Sequence, residues 1–343
     1  MARPLLLRER GKVLDIIITI ERITMLSKSK FVKTLAAVGI AAAFACGNAF
    51  AAPFSAAIVP GVNQISDDNA EVVLKFDQTL NGGAGGYRAF VFGTDTIGVQ
   101  DILVGIVGIT SFPTGALGTS AALYNEVTGV YAVQALTAVA TGATNCNAGG
   151  LLTTCTNYTF GAVTASTGGI NAALTLMNSI YGTTQTAVAN ANATTIGAFY
   201  EDATPDYARG GVGLTLDQAF TSAHAVGDTQ RIVIGQVAAN GDNFGTLAPS
   251  NPAQLALLSP GAFGGSFNAD ATITSYNLPG FNLNADFQIA GNLYSCIQPS
   301  PFGICSDSTH TFVATPVPEP ATLALLGIAL AGIGFGTRKK SSV

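Results

Sequence analysis

The sequence predicts a mainly β body, a β-sandwich-like layering of antiparallel sheet with a few short helices, flanked by a signal-peptide helix and a C-terminal transmembrane helix. Three observations lead there. Between residues 52 and 316 the chain breaks into short apolar or alternating runs separated by Gly, Asn, Asp, Ser and Pro, the texture of many strands joined by turns. Apolar runs beside positive charge stand at both ends, the arrangement that orients a chain across a membrane. The composition is 48% hydrophobic and only 10% charged, with 40 glycines, far from the roughly 25% charge of an ordinary soluble domain.

Residues 1–24 do not fit the front of a signal peptide and read as an over-long N-terminal extension, with the true start at Met25. From there Lys28, Lys30 and Lys33 make a basic region, residues 34–45 an apolar run, and Ala49-Phe50-Ala51 a small-x-small cleavage pattern. The run is too short to span a bilayer. Residues 25–51 are therefore expected to be a signal peptide cut after Ala51, leaving Ala52 as the first mature residue.

The body, residues 52–316, offers strand candidates at 71–76, 87–92, 101–109, 129–138, 157–164, 230–237, 271–276, 284–290 and 309–314. Val72, Leu74 and Phe76, with flanking polar positions, show the period of two expected of a strand. The run NGGAGG at 81–86 reads as a hairpin loop between the first two strands. Residues 170–181 place Ile170, Leu174 and Met177 on one helical face. Shorter helices are expected at 216–225 and at 252–258, the latter opened by Asn251 as cap and Pro252 in the first turn. Many short strands with Gly-rich turns point to sheet packed on sheet, with the helices as a layer or lid.

Charge is segregated. The body holds four cations, Lys75, Arg88, Arg209 and Arg231, against sixteen Asp and Glu, a formal charge of 4 − 16 = −12. Such a surface repels phosphate backbones and anionic lipid, so no nucleic-acid partner is expected. After removal of the signal peptide four cysteines remain: Cys146, Cys155, Cys296 and Cys305. An even count in an exported chain suggests disulfides. Three pairings are possible, and the local ones, Cys146–Cys155 and Cys296–Cys305, each close a short loop. The Cys-x2-4-Cys spacing of zinc sites is absent.

The C-terminus carries the most specific signal. Val317-Pro318-Glu319-Pro320 precedes sixteen uncharged residues, 321–336, and the basic cluster Arg338-Lys339-Lys340. At 1.5 Å per residue the apolar run reaches roughly 24 Å as a helix, just short of a ~30 Å hydrocarbon core. The basic cluster suits a stop-transfer role on the cytoplasmic side. The prolines keep the preceding peptide extended. This order of motif, short helix and basic tail, residues 317–343, resembles the PEP-CTERM sorting signal of Gram-negative bacteria. The resemblance implies recognition and cleavage near the motif by the membrane enzyme exosortase. It also implies transient anchoring in the inner membrane, release outward, and association with exopolysaccharide in biofilm or floc matrix. It says nothing of the body's fold or activity.

Catalytic motifs are not evident. The body has no G-x-S-x-G elbow, and His224 and His310 are its sole histidines, neither in a setting that suggests a base. Glu71, Glu126 and Glu201 are available for a two-carboxylate mechanism, which would require them to face one another across a cleft. No cofactor or metal is expected, with calcium as the one weak candidate through the oxygen-rich loops at 67–69, 201–206 and 241–243. The function expected is a non-enzymatic matrix or cell-surface protein. The alternatives are a carbohydrate-binding module, limited by nine Tyr and no Trp, or a secreted polysaccharide or peptide hydrolase.

Overall fold

The computed structural model describes residues 52–317 apart from 92–93, 113–114, 117–123, 145–153, 166–167, 208–213, 241, 243–245, 248–262 and 297–300. The described strands are β1 (Gly61–Asp77), β2 (Gly86–Ala89), β3 (Ile102–Phe112), β4 (Gly115–Ala116), β5 (Glu126–Thr144) and β6 (Thr154–Gly161). They continue as β7 (Thr195–Asp202), β8 (Thr229–Gly235), β9 (Thr246–Leu247), β10 (Phe263–Tyr276), β11 (Phe281–Ser295) and β12 (Ile304–Pro316). Two α-helices are described, α1 (Gly169–Tyr181) and α2 (Leu216–Ala223).

The mainly β expectation holds, and the layered sandwich does not. Strands β1, β3, β5, β7, β8, β10, β11 and β12 pair antiparallel each with the next, and β12 returns to β1. The sheet is thus an eight-stranded closed barrel whose spatial order is chain order. Sandwich and barrel share the same alternating texture. What separates them is the pairing of the first strand with the last, eleven registered pairs from Gly61↔Ala314 to Glu71↔Ile304, which leaves no free edge. The remaining strands are appendages: β2 on the end of β1, β4 on β3, β6 on the far half of β5, and β9 on β6.

Two hydrophobic clusters follow from the pleat. Inward positions of the barrel, among them Val73, Leu103, Val107, Phe199, Ile234, Phe287 and Phe312, fill one core. Outward positions Val72, Leu74, Val104, Ile106, Val130 and Val233 form a second with Ile170, Leu174 and Met177 of α1 and Phe220 of α2. Strand β3 is therefore buried on both faces, which is why it reads as the nearly unbroken apolar run ILVGIVGI rather than an alternating one. Strand β7 escaped prediction for the same reason: its seven consecutive buried residues show no period of two.

Local chemistry sets the helix ends. Thr215 and Gln218 form a reciprocal capping box that starts α2. Gly182 ends α1 in the left-handed conformation, φ 68°, its N–H bonded to the Asn178 carbonyl. The loop at 81–86 reverses the chain from β1 into β2 as expected. The expected helix at 252–258, the signal-peptide helix, the C-terminal transmembrane helix and the Cys146–Cys155 bond lie outside the described residues. Among the described residues no helix is long and apolar enough to cross a membrane.

Cys296 and Cys305 are bonded, with Cα atoms 4.9 Å apart, and tie the end of β11 to the start of β12. A loop this short loses about 2–3 kcal/mol of denatured-state entropy on cross-linking. Replacing both cysteines by Ala is expected to lower unfolding stability by about that amount, read as a fall in the urea midpoint relative to the unmodified protein under non-reducing conditions.

Candidate functional site

Because β1 pairs with β12 in register, alternate residues of both strands face the lumen. From β1 these are Asp67, Asn69 and Glu71; from β12 they are Ser306, Ser308 and His310. All six are buried. A row of polar groups inside a hydrophobic barrel must satisfy itself, and this one nearly does. Asp67 Oδ1 accepts from the Ser308 backbone N–H and from the Ser308 hydroxyl, both at 2.7 Å. Asp67 Oδ2 is paired with His310 Nε2. The Asn69 amide, turned so that its nitrogen faces Asp67, donates to Oδ2 at 3.2 Å and to the Asp68 carbonyl at 3.3 Å. Glu71 Oε1 accepts from the Tyr131 and Ser306 hydroxyls.

Tyr131 reaches across from β5. Its pairing partner on β3 is Gly105, and a Cβ at that position would lie 2.5 Å from the Tyr131 ring, so only glycine admits the side chain. Burial, reinforced by the charge of Glu71, holds the Tyr131 phenol well above its ordinary value of 10. It stays a donor. The His310 ring meets Phe199 edge-on, 5.5 Å between centroids, and Phe287 at a tilt, 5.3 Å away. Beside this polar wall lies a cavity of about 100 Å³, lined otherwise by Asn268 and by apolar side chains including Leu103, Val107, Val133, Phe160, Ile234 and Leu293.

Asp67, Ser308 and His310 converge although 243 residues separate Asp67 from His310, a proximity that no local pattern announces. The arrangement differs from a Ser-His-Asp relay. There the acid holds one ring nitrogen while the other takes the serine proton. Here Asp67 and Ser308 both lie against Nε2, the latter at 3.2 Å, and the Ser308 hydroxyl donates to Asp67.

The other candidates are scattered. Glu201 faces inward at the barrel end, accepting from the Phe54 N–H at 2.8 Å and the Asn125 amide at 2.6 Å, and paired with Arg231 at 2.5 Å. Glu126 sits beside it on β5, one residue out of register and on the opposite face, accepting the Tyr207 N–H at 2.8 Å. Glu71, Glu126 and Glu201 therefore do not face one another across a cleft. His224 ends α2 outside the barrel, stacked on Tyr200 at 4.5 Å, and burial lowers its pKa. Of the oxygen-rich loops, 67–69 lies within β1 and 201–206 begins within β7; only Asp242 is described from 241–243. Among the described residues no three His, Cys, Asp or Glu side chains stand close enough to hold a metal ion. Of the nine tyrosines only Tyr276 is exposed, at 39%, so they form no flat aromatic platform.

Of the body's four cations, the three that are described are each locked in an ion pair. Lys75 meets Asp101 at 2.9 Å, Arg88 meets Asp95 at 2.6 Å and Asp77 at 3.0 Å, and Arg231 meets Glu201.

At the C-terminal end β12 runs directly into Val317, whose N–H bonds to the Gly280 carbonyl at 2.9 Å and whose side chain is 42% exposed. The family model for the PEP-CTERM protein-sorting motif matches residues 316–340. The tail is a PEP-CTERM protein-sorting motif. It marks the chain for export to the cell surface or beyond, with processing by the membrane enzyme exosortase. Pro318–Pro320, the basic cluster Arg338, Lys339 and Lys340, and the cleavage residues Ala49 and Ala51 lie outside the described residues. Ala52 belongs to the body, its carbonyl accepting the Asn125 N–H at 2.7 Å. No curated protein and no solved structure matches the chain significantly.

Tyr131→Phe removes a hydrogen bond to a buried carboxylate and is expected to cost about 1.5–3 kcal/mol in denaturant unfolding. Gly105→Ala forces the Tyr131 ring away and costs about 1–3 kcal/mol. The double variant loses less than the sum, because both act on one contact. Separately, Glu126 is raised from 4.5 to about 7, chiefly by burial, opposed by the Tyr207 N–H and reinforced by Asp206 and Asp202. Between those values the folded state binds the extra proton, so stability falls as pH rises from 4.5 to about 7. Glu126→Gln should flatten that part of the stability profile, measured by denaturant midpoints across the range.

Proposed function

We propose that the chain is a non-enzymatic surface or matrix protein whose barrel associates with extracellular polysaccharide. The sorting motif at 316–340 carries the exported half of this reading. Support for the polysaccharide half comes from the barrel's outer face. The helices cover the side built from β3, β5 and β7. The side built from β10, β11, β12 and β1 turns Gln64, Asn268, Asp270, Gln288, Thr309 and Thr311 outward around a groove of about 480 Å³. Amide, hydroxyl and carboxylate groups in a row are the partners that sugar hydroxyls require. With the described cations engaged in ion pairs and a body charge of −12, the polymer favoured is neutral or cationic.

The non-enzymatic part is supported by the geometry at His310, where acid and serine compete for one nitrogen, and by the separation of the three glutamates. A binding module of the aromatic-platform kind draws no support from the tyrosines, of which only Tyr276 is exposed.

The intact mass of the protein recovered from the extracellular fraction of its host should match Ala52 to the neighbourhood of Pro318. A membrane-bound species retaining Arg338–Lys340 would replace this reading by a lasting anchor. Gln288→Ala combined with Thr311→Ala should weaken co-sedimentation with the host's exopolysaccharide by about tenfold, two hydrogen bonds' worth. Unchanged co-sedimentation would remove this face from the reading.

A further inference from the structure

Inside the barrel one polar atom stands out. His310 is 3% exposed, and its Nδ1 has no hydrogen-bond partner among the described residues. An unsatisfied buried group of this kind costs about 1–3 kcal/mol. The neighbouring polar hydrogens are committed: the Ser308 hydroxyl to Asp67, the Tyr131 and Ser306 hydroxyls to Glu71. His310 also lines the 100 Å³ lumen cavity, whose other walls are largely apolar. That volume is of the order of the roughly 150 Å³ apolar cavity known to take up benzene or xenon. Eight-stranded barrels are the size at which the interior either fills completely or holds one small ligand.

The cavity persists for a reason visible in the sequence. Lumen-facing positions include Gly105, Gly197 and Ala269, which pair with Tyr131, with Tyr131 and Ile234, and with Ile289. Small residues beside large ones leave space that the large ones do not close.

The chemistry of the ligand follows from His310. Nε2 faces the Asp67 carboxylate and so carries its proton there whichever charge the ring bears. Nδ1 then accepts a hydrogen bond when the ring is neutral and donates one when it is charged. A hydroxyl group satisfies both conditions. An acid does not suit the site, because the carboxylates of Asp67 and Glu71 already occupy the same wall.

We propose that the barrel lumen is a binding site for a small neutral molecule made of one apolar ring and one hydroxyl, seated among the lumen's apolar side chains with its hydroxyl on His310 Nδ1. The test uses the protein as its host exports it, titrated calorimetrically with phenol and, separately, with benzene. Phenol should bind at least tenfold more tightly than benzene. His310→Phe, which keeps a ring in place but carries no nitrogen, should erase the difference while benzene binding survives. Ala269→Leu, which fills the cavity without touching the polar wall, should abolish binding of both and holds the test open if His310→Phe does not fold. The proposal is overturned by absence of phenol binding, by equal affinities for the two probes, or by binding that Ala269→Leu leaves unchanged.

Discussion

The pairing of β1 with β12 is the constraint on which the molecule rests. It joins the first barrel strand to the last across more than two hundred residues and converts an open meander into a cylinder. Every other barrel ladder links consecutive barrel strands, so its loop-closure entropy is modest. Only this one is paid for across the whole domain. The polar row lies on this seam. Asp67, Asn69 and Glu71 come from one side of it, Ser306, Ser308 and His310 from the other.

That placement gives the row a structural meaning distinct from any ligand. In a strand the side-chain period is two, and slipping by one residue moves every side chain to the other face. Slipping β1 against its neighbours by one would carry Asp67, Asn69 and Glu71 to the outer surface and bring Asp68, Ala70 and Val72 inside. A charge-assisted pair such as Asp67–His310 adds little net stability when both partners are buried. What it supplies is a penalty for every register but one. The seam is thus specified by groups that are costly anywhere except opposite each other.

Part of this was legible in the sequence, and the boundary is physical. Strands with one solvated face announced themselves through alternation, as in the closing strand at 309–314. The helix at 170–181 was visible through its apolar stripe, and Cys296–Cys305 through its spacing. Strand β7 was hidden because α1 and α2 cover its outer face, so Ala198 and Tyr200 are as buried as Ile196 and Phe199. Closure was hidden because it is a relation between residues 61–71 and 304–314, which no local window contains. The polar wall was hidden with it. Asp67 looked like part of an oxygen-rich turn and His310 like a lone strand histidine; each acquires its role only from the other.

The tail connects this architecture to export. Strand β12 ends at Pro316, and the matched sorting motif begins at that same residue. The Val317 N–H is still tied to the turn between β10 and β11. A processing cut among the prolines therefore falls one to four residues beyond the strand that closes the barrel. A cut upstream of Pro316 would shorten β12 and remove its Phe281↔Pro316 pairing with β11; a cut downstream leaves all of β12 in place. Pro318 and Pro320 cannot donate to a sheet ladder, so they stop β12 from extending. The motif that addresses the chain outward also marks, by its backbone chemistry, where the folded body is complete.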